Sequence, residues 1–321
     1  MVSSQVCNKG GFSMHYGAVI VAAGNDTHNG QIRPLLNIGS ISMAQRVIAT
    51  LKQARIELIA VITGFQAETL EHQLASSGVV FLRNNNYATT QMFDSAVIGL
   101  EYMRTKFVRT IFTPVDVPLF TEETVTSLLA STQDIAIPTY EGIAGHPIMI
   151  SAGAAAKIVK DSGQGGLQEA LRRNGNIEFI PVLDKGILHD VNTIKDYNSA
   201  VAYHNRHFLR PIVIAKLFGE KEFFDGRLAT LLFLIEDTHS VRLACQQMQI
   251  SYSSGWKMIN TSEEELGFPL VERNQGGKTG SQTILTADGE NLLQRFRQFN
   301  AELKHAADQL FAKHFQDILH R

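Results

Sequence analysis

The chain has 321 residues, of which 44% are hydrophobic and 19% charged, and its formal net charge is -2 at pH 7. This composition is ordinary for a globular protein, leaves room for two domains, and gives no overall electrostatic attraction to nucleic acid or to a membrane. Residues 1–16 lack the long apolar core of a signal peptide and no apolar run is long enough to span a bilayer, so we expect a cytoplasmic protein with no membrane partner.

The first predicted element is a buried strand over residues 18–22, which stops at Gly24 in a loop of small and polar residues. Glycine permits positive φ and close approach to the main chain, so N–H groups between Ala23 and Gly30 can turn inward around phosphate oxygens. Arg33 adds a permanent positive charge. The spacing is neither GxxxxGK[ST] nor GxGxxG, which excludes both of those phosphate-binding motifs. An ordinary strand-to-helix turn is the alternative.

Helical and strand patterns alternate after this loop. The predicted helices cover residues 41–53, 66–74 and 92–103, and the predicted strands cover residues 58–63, 79–82 and 108–113. This alternation favours a Rossmann-like, mostly parallel sheet with helices on both faces. In such sheets ligands bind beyond the carboxyl ends of the strands.

A carboxylate follows one of these strands directly. The strand over residues 108–113 runs into PVDVPLF, in which prolines on both sides of Asp116 restrict the chain. A carboxylate in this position can hold a hard cation such as Mg²⁺ against a triphosphate. The alternative is an acidic residue before the helix TEETVTSLL, although Thr121 already serves as the cap of that helix.

The loop after the first strand resembles the N-terminal signature of the MobA-like nucleotidyltransferases, LAAGxSxRMGxxKxLL. The matching positions are Ala22, Ala23, Gly24, Gly30, Leu35 and Leu36. The departures are Asp26 for Ser, His28 for Arg, Asn29 for Met and Arg33 for Lys. Arg33 keeps a permanent charge, whereas His28 is largely neutral at pH 7 and Asp26 adds negative charge near the expected phosphates.

Four later segments extend this resemblance. NNNYATTQMFDS, from Asn84, resembles a segment that reaches toward the nucleotide, and SGQGGLQEALRR, from Ser162, resembles the loop and helix on the acceptor side. Gly145, His146 and Pro147 resemble the GHP segment of the cytidylyltransferase branch that acts on molybdopterin. HDVNTIKDY matches a closing motif at Asp190, Asn192 and Thr193. Polar turns and helix caps are the alternatives for these segments.

The resemblance implies transfer of a nucleoside monophosphate from CTP or GTP to a molybdopterin-type acceptor, with release of pyrophosphate. It implies catalytic roles for Arg33 and Asp116, and Mg²⁺ held by Asp116 together with Asn192 or Asp190. The implied nucleotide-binding residues are Ala22, Ala23, Gly24, Asn25, Gly30, Arg33, Thr63 and Asn86. The implied substrate-binding residues are Gly145, His146, Pro147, Gly165 and Gly166.

From Gly226 the pattern changes to short helices. RLATLLFLIED, VRLACQQM after the cap Ser240, and residues 252–265 after a tight turn form a predicted helix-turn-helix. LVERNQGGKTGSQTILT then has two short apolar pieces joined by a glycine-rich, basic loop, the pattern of a wing.

This second part resembles the N-terminal DNA-binding domain of ModE, a LysR-like winged helix, through ISYSSGWKMIN, LVER, GGKTG and LTADGENLL. The resemblance implies DNA contacts by Ser251, Tyr252, Ser253, Ser254, Lys257, Arg273, Lys278 and Thr279. Three glutamates, residues 263–265, argue against duplex binding. Apolar residues recur every three or four positions in the last predicted helix, at Leu292, Phe296, Phe299, Leu303, Ala306 and Leu310. They predict either a seam for a partner helix, and hence a homodimer, or packing within the chain.

The sequence therefore predicts a flexible leader over residues 1–16, a nucleotidyltransferase domain over 17–207, a linker over 208–225, and a winged-helix domain with a C-terminal dimerisation helix over 226–321. The predicted function is a molybdenum-cofactor nucleotidyltransferase that also binds a DNA operator. The alternative is a transcription regulator whose catalytically decayed transferase-like domain senses nucleotide or molybdopterin. Asp26 and His28 favour the regulator, whereas Asp116, Gly145 to Pro147 and Asn192 favour the enzyme. A scaffold that uses both folds only for protein contacts is a third alternative, which needs no glycine loop.

Overall fold

The structure is a computed structural model, which describes residues 16–25, 27–28, 31–207, 213–274 and 282–319. Some predictions therefore lie outside the described residues. These are the predictions for the leader before Tyr16, for Asp26 and Gly30, for residues 208–212 of the linker, and for Lys278 and Thr279 of the wing.

An eight-stranded sheet forms the centre of the first part of the described chain. Its strands are β1 (Tyr16–Ala22), β2 (Leu58–Thr63), β3 (Val80–Arg83), β4 (Arg109–Pro114), β5 (Ile135–Tyr140), β6 (Ile143–Ala144), β7 (Ile148–Ser151) and β8 (Ile177–Pro181). Their order is β6-β5-β7-β4-β1-β2-β3, and β8 pairs with β5. β1 is parallel to β2 and β4, whereas β7 is antiparallel to β4 and β5. The predicted mostly parallel α/β sheet is confirmed.

The first part has seven described helices: α1 (Met43–Gln53), α2 (Ala67–Leu74), α3 (Met92–Met103), α4 (Glu122–Ala130), α5 (Ala152–Ile158), α6 (Gly166–Asn174) and α7 (Ile194–His207). Helices α1 to α6 pack in the clusters on the two faces of the sheet, whereas α7 packs with Leu36, Ile38 and Met43 in a smaller cluster. Successive side chains of a strand point to opposite faces. Val19 of β1 accordingly packs in the cluster that contains α3, whereas Ile20 packs in the cluster that contains α1. The continuous apolar run of β1 thus reflects burial on both faces.

Short elements connect these strands and helices. Two-residue strands cover Thr27–His28, Gln31–Ile32, Asn37–Ile38 and Ile41–Ser42, and 3-10 helices cover Arg33–Leu35, Ala75–Ser77 and Lys185–Leu188. The predicted start of α1 at residue 41 is wrong, because Ile41 and Ser42 pair with residues 37–38 instead. Ser42 caps the helix, since its hydroxyl oxygen accepts a hydrogen bond from the backbone N–H of Gln45 at 3.2 Å.

The second part of the described chain is a winged helix-turn-helix that follows a hairpin. Its elements are β9 (Lys216–Phe218), β10 (Glu222–Asp225), α8 (Gly226–Thr238), α9 (Val241–Gln247), α10 (Tyr252–Leu266), β11 (Val271–Asn274), β12 (Gln282–Leu285) and α11 (Ala287–Leu319). The hairpin β9–β10 lies where the sequence predicts only a linker. It is ordered by burial of Phe224, whose ring lies 4.8 Å from that of Phe296.

Both parts contribute to one hydrophobic cluster. The rings of Phe107, after α3, and Phe233, on α8, are stacked with centroids 6.0 Å apart. Helix α11 adds charged contacts to the first part, since Arg297 lies 3.3 Å from Glu57 and Lys304 pairs with Glu122. None of the described helices combines the length and the apolar composition that crossing a bilayer requires.

Three residues of the predicted seam of helix α11 pack within the chain. Phe296 is 3% exposed, and Leu292 and Leu303 pack against the shared cluster. Phe299 and Leu310 remain 47% and 55% exposed. The intramolecular alternative therefore describes Leu292, Phe296 and Leu303, and a partner helix stays a prediction for Phe299 and Leu310.

Gly99 sets how closely α3 approaches β1. A Cβ at this position would lie 2.4 Å from Cγ1 of the buried Val19, which has no room to move. We expect Gly99→Ala to lower the free energy of unfolding by about 1–3 kcal/mol, because overpacking outweighs the better helix propensity of alanine.

Urea unfolding followed by circular dichroism measures this effect. Gly153→Ala is the matched control, because Gly153 is also helical and its Cβ would meet only Ser151 Oγ at 3.9 Å. An equal or higher stability of Gly99→Ala would contradict the packing described for α3.

Candidate functional site

Ala23 and Gly24, the first residues of the predicted phosphate-binding loop, line the same cavity as the predicted metal ligand Asp116. The cavity has a volume of about 230 Å³. The lining residues are Val21, Ala22, Ala23, Gly24, Arg33, Pro34, Tyr87, Thr90, Gln91, Met92, Ser95, Pro114, Val115 and Asp116. This convergence follows from the sheet. β1 and β4 are adjacent and parallel, so both end at the same edge.

The backbone closes around the carboxyl end of β1. The N–H of Val115 donates to the carbonyl oxygen of Val21 at 3.0 Å, which holds the chain before Asp116 beside the end of β1. Gly64 packs so closely that a Cβ would lie 2.7 Å from the carbonyl oxygen of Ala23. Glycine is thus required there by close approach of two main chains.

Arg33, Asp116 and Asn192 come together at this cavity. Nη1 of Arg33 lies 2.9 Å from Oδ1 of Asn192 and 3.5 Å from Oδ2 of Asp116. Nη2 of Arg33 also donates to the carbonyl oxygen of Asn192 at 3.4 Å. The N–H of Val191 donates to the carbonyl oxygen of Asp116 at 2.8 Å, so backbone pairing brings the segment after Asp190 to the loop that contains Asp116. Asp190 is exposed.

This donor set fits a cation that arrives together with phosphates. Asp116 offers a carboxylate and Asn192 an amide oxygen, and Mg²⁺ commonly takes one or two protein carboxylates plus phosphates and water. Within the described ranges, no group of three or more His, Cys, Asp or Glu side chains is arranged to hold a metal. The residues therefore suit a metal–nucleotide complex better than a permanently bound ion.

Asn84 organises the wall of the cavity, a role that the sequence analysis did not assign. Its side chain is 4% exposed, and Nδ2 donates to Oγ1 of Thr90 at 2.9 Å and to Oγ of Ser95 at 3.0 Å. Its Oδ1 accepts from the N–H of Asn86 at 3.0 Å. The run of three asparagines after β3 is the sequence signal for this role, because asparagine side chains stabilise turns through bonds of this kind.

Several predicted nucleotide-binding and acceptor-side residues lie elsewhere. Thr63 does not line the cavity, since its side chain is fully buried and its hydroxyl donates to Oε1 of Glu71 at 2.7 Å. Asn86 also lies off the cavity wall, and its carbonyl oxygen accepts from Thr90. Asn25 is exposed. Gly165 and Gly166 have positive φ at the start of α6 and do not line the cavity.

The Gly145, His146 and Pro147 segment also lies outside the cavity lining. A Cβ on Gly145 would lie 2.4 Å from the carbonyl oxygen of Ile187, and the N–H of His146 donates to that carbonyl at 3.1 Å. The imidazole packs at 6.2 Å from the ring of Phe112. Burial lowers the pKa of His146 to about 4, so the ring is neutral at pH 7 and offers no charge to an anionic substrate.

The exposed start of α10 forms a second candidate site. Ser251 caps the helix, since its Oγ accepts from the N–H of Ser254 at 3.0 Å. Ser253 and Lys257 are exposed, and Tyr252 is 47% exposed. The predicted helix-turn-helix thus presents its polar first turns outward.

Two arginines rest on aromatic rings beside this helix. The guanidinium of Arg242, on α9, lies 5.4 Å from the ring centre of Tyr252. That of Arg273, on β11, lies 4.0 Å from the ring centre of Trp256. Arg242 was not assigned from the sequence because its contact depends on how α9 packs against α10.

The acidic run does not lie at the start of α10. Oε1 of Glu263 accepts from the N–H groups of Leu270 and Val271 at 2.7 and 3.2 Å, and Oε2 of Glu265 accepts from the N–H of Glu220 at 2.7 Å. Two of the three glutamates thus have local structural partners at the opposite end of the helix. The electrostatic objection raised by the sequence is correspondingly weaker.

Comparison with known proteins gives two separate similarities. Residues 18–177 match the MobA-like NTP transferase domain, and residues 227–290 match the bacterial regulatory helix-turn-helix proteins of the lysR family. The transcriptional regulator ModE of Haemophilus influenzae is 34% identical over 84 residues, which are 26% of this chain and 33% of that protein. The chain spans about a third of the length of the curated relatives it matches.

Solved structures resemble the first part in fold. A nucleotidyl transferase from Methanothermobacter thermautotrophicus has a TM-score of 0.53 at 17% identity, over 61% of this chain and 99% of that one. Rv0371C of Mycobacterium tuberculosis, solved in complex with manganese, has a TM-score of 0.50 at 17% identity, over 60% and 100% of the two chains. At such identities the similarity establishes the fold alone.

The buried imidazole of His146 predicts a pH dependence of stability. Its pKa is about 4 in the folded protein and near 6.5 when unfolded, so its contribution is complete above pH 6.5 and is lost as the pH falls toward 4. The unfolding free energy of the wild type should decrease as the pH falls over this range. We expect this decrease to be smaller in His146→Asn, by up to about 3 kcal/mol. Urea unfolding at a series of pH values measures this difference.

The exposed His72 provides the control. In His72→Asn the unfolding free energy should depend on pH as it does in the wild type. If His146→Asn loses stability on acidification as steeply as the wild type, the imidazole is not buried in the neutral form.

Proposed function

We propose that this chain, with a MobA-like NTP transferase domain at residues 18–177 and a lysR-type helix-turn-helix at residues 227–290, is a molybdenum-cofactor nucleotidyltransferase that also binds DNA. The observation that carries the first half is the convergence of residues 21–24, Arg33 and Asp116 on one cavity. We propose domain limits at residues 17–207 and 226–321, with the intervening segment as the connection.

In the proposed reaction, a phosphate oxygen of the acceptor attacks the α-phosphorus of CTP or GTP. The bond from the α-phosphorus to the oxygen bridging the α- and β-phosphates breaks, and pyrophosphate leaves with that oxygen. Catalysis of this kind depends on positioning and charge neutralisation more than on proton transfer. Mg²⁺, when bound, supplies charge neutralisation at the phosphates.

The residues of the chain divide this work. Main-chain N–H groups of Ala23 and Gly24 orient the phosphates, and Arg33 neutralises charge that develops on the leaving group. Asp116 and Asn192 would hold the metal, which would supply positive charge beside the phosphates. The manganese complex of the Mycobacterium tuberculosis protein supports use of a divalent cation in this fold.

A molybdopterin-type acceptor and a DNA operator are proposed together because the two similarities lead to the same metabolism. The first domain is MobA-like, and the relatives of the second are named as ModE regulators and as a molybdenum transport protein. CTP, DNA and such an acceptor meet in the cytoplasm, which is the proposed location. A homodimer through the exposed part of α11 is the proposed assembly for DNA binding.

A regulator without turnover is the second candidate, and one observation favours it. Arg33 joins Asp116 and Asn192, so its guanidinium lies between the two groups proposed to hold the metal. A side chain in this position satisfies part of the negative charge that a metal ion would otherwise neutralise. The sequence departures at Asp26 and His28 point in the same direction.

Loss of charge at the cavity should separate these candidates. We expect Arg33→Gln and Asp116→Asn each to lower the rate of pyrophosphate release from CTP or GTP by about 10²–10³-fold in the presence of molybdopterin and Mg²⁺, the loss typical of one transition-state contact. A coupled pyrophosphate assay measures it.

Lys216→Gln is the control, since Lys216 pairs with Glu222 on the exposed hairpin β9–β10. Absence of pyrophosphate release by the wild type, with CTP–Mg²⁺ or GTP–Mg²⁺ still bound, would contradict the enzyme and support the regulator.

Lys257 tests the DNA-binding half. We expect Lys257→Ala to weaken binding to duplex DNA and to reduce the slope of log Kd against log salt concentration by about one, because one phosphate contact is lost. Fluorescence anisotropy with a labelled duplex at several salt concentrations measures both quantities. Lys313, near the end of α11, supplies the control variant Lys313→Ala, and an equal effect of both variants would indicate unspecific attraction rather than a reading helix.

A further inference from the structure

Helix α3 begins at the nucleotide cavity. Gln91, Met92 and Ser95 line it, and Ser95 is held by Nδ2 of Asn84 at 3.0 Å. A ligand that fills the cavity therefore touches the first turn of α3 directly.

The middle of α3 is packed too tightly to absorb a displacement. Phe93, Ala96, Leu100 and Met103 face the core and are 8% exposed or less, and Gly99 lies directly against Val19. The helix has 12 residues, so it is about 18 Å long. Close-packed interiors transmit strain, so a shift at the first turn of α3 is passed along the whole helix.

The far end of α3 contacts the helix-turn-helix. The phenol of Tyr102 donates to Oε1 of Gln247 on α9 at 3.1 Å, and burial raises the pKa of Tyr102, which keeps the donor proton in place. Lys106, just beyond the helix, lies 3.1 Å from Oδ1 of Asp237 on α8 and 4.4 Å from the ring centre of Tyr102.

Helix α9 in turn fixes the DNA-reading helix. A Cβ on Gly255 of α10 would lie 2.3 Å from Sγ of Cys245 on α9, so the two helices are in close contact. Arg242 of α9 lies over the ring of Tyr252 at the start of α10. A movement of α9 therefore repositions the exposed first turn of α10.

The metal side of the cavity has a second connection. The chain after Asp116 leads into α4, whose Glu122 pairs with Lys304 of α11. Burial raises the pKa of Glu122, and Lys304 opposes this effect. Both walls of the cavity thus continue into segments that contact the winged-helix part.

From these contacts we infer that binding of a nucleoside triphosphate with Mg²⁺ in the cavity and binding of duplex DNA at α10 are energetically coupled, through α3 and its contacts with α9 and α8. This inference rests on the proposed nucleotide site. Coupling between two sites is reciprocal and typically changes affinity by about 5–150-fold. Nucleotide should therefore change the DNA affinity by the same factor by which DNA changes the nucleotide affinity.

The full chain carries its own reporter. Its single tryptophan, Trp256, lies on α10 beside Tyr252 and Arg273, away from the nucleotide cavity. CTP–Mg²⁺ and GTP–Mg²⁺ are titrated separately, and Trp256 emission and the Kd for a mixed-sequence duplex at low salt are recorded. We expect the nucleotide that binds to change Trp256 emission and to shift the DNA Kd at least about fivefold.

Two variants each remove one polar contact between α3 and the helix-turn-helix without touching the cavity. Tyr102→Phe loses the hydrogen bond to Gln247, and Asp237→Asn loses the ion pair with Lys106. We expect both variants to retain the wild-type nucleotide Kd in the absence of DNA. We expect their DNA Kd with nucleotide to be close to their DNA Kd without nucleotide, so that the ratio of the two approaches one. The matched control is Arg104→Gln, because Arg104 also lies at the end of α3 but its Nη2 pairs with Oε1 of Glu101 on the same helix at 2.6 Å.

The outcomes separate the two proposals. Nucleotide binding, measured by calorimetry, with no change in Trp256 emission and an unchanged DNA Kd would overturn the coupling and leave the proposed function standing. Failure of both nucleotides to bind would overturn both. The route through α3 would be overturned if nucleotide still shifted the DNA Kd of the folded Tyr102→Phe and Asp237→Asn variants as in the wild type. It would also be overturned if Arg104→Gln lost this shift to the same extent.

Discussion

The parallel pairing of β1 with β4 is the constraint on which the candidate site depends. It places the loop after Ala22 and the loop containing Asp116 at one edge of the sheet, although they are far apart in the sequence. The backbone bond from Val191 to Asp116 then adds Asn192 to the same edge. Arg33 joins the last two side chains, so the electrostatics of the cavity are already balanced by a residue of the chain itself.

Much of this arrangement could be predicted from the sequence, for local reasons. Strand β2 and helix α3 have the predicted bounds, because a β-branched run and an amphipathic run each determine their own structure. The caps Thr121 and Ser240 act as predicted, since a cap needs only the next three residues. Asp116 and Arg33 reached one cavity because an alternating α/β pattern implies that loops gather at one sheet edge.

The features that could not be predicted depend on contacts between distant segments. Thr63 ends a central strand, as a ligand-binding residue would, but its hydroxyl is taken by Glu71 of the following helix. The burial of Asn84 could not be predicted, because consecutive asparagines differ only in which one the fold buries. A nucleotide contact by Asn86 stays a prediction. The seam of α11 has the same spacing whether a second chain or the same chain covers it. Phe296 is covered by the same chain, because the ring of Phe224 packs against it.

The continuous apolar cluster beneath the two parts has a consequence for how the chain can be divided. Phe107 and Phe233 bury each other across the boundary, and Arg297 and Lys304 neutralise acidic groups of the opposite part. Expressed separately, either part would expose aromatic surface that the other normally covers, which favours aggregation. In the intact chain the same surface makes the two parts melt together, so one calorimetric transition replaces the two expected of independent domains.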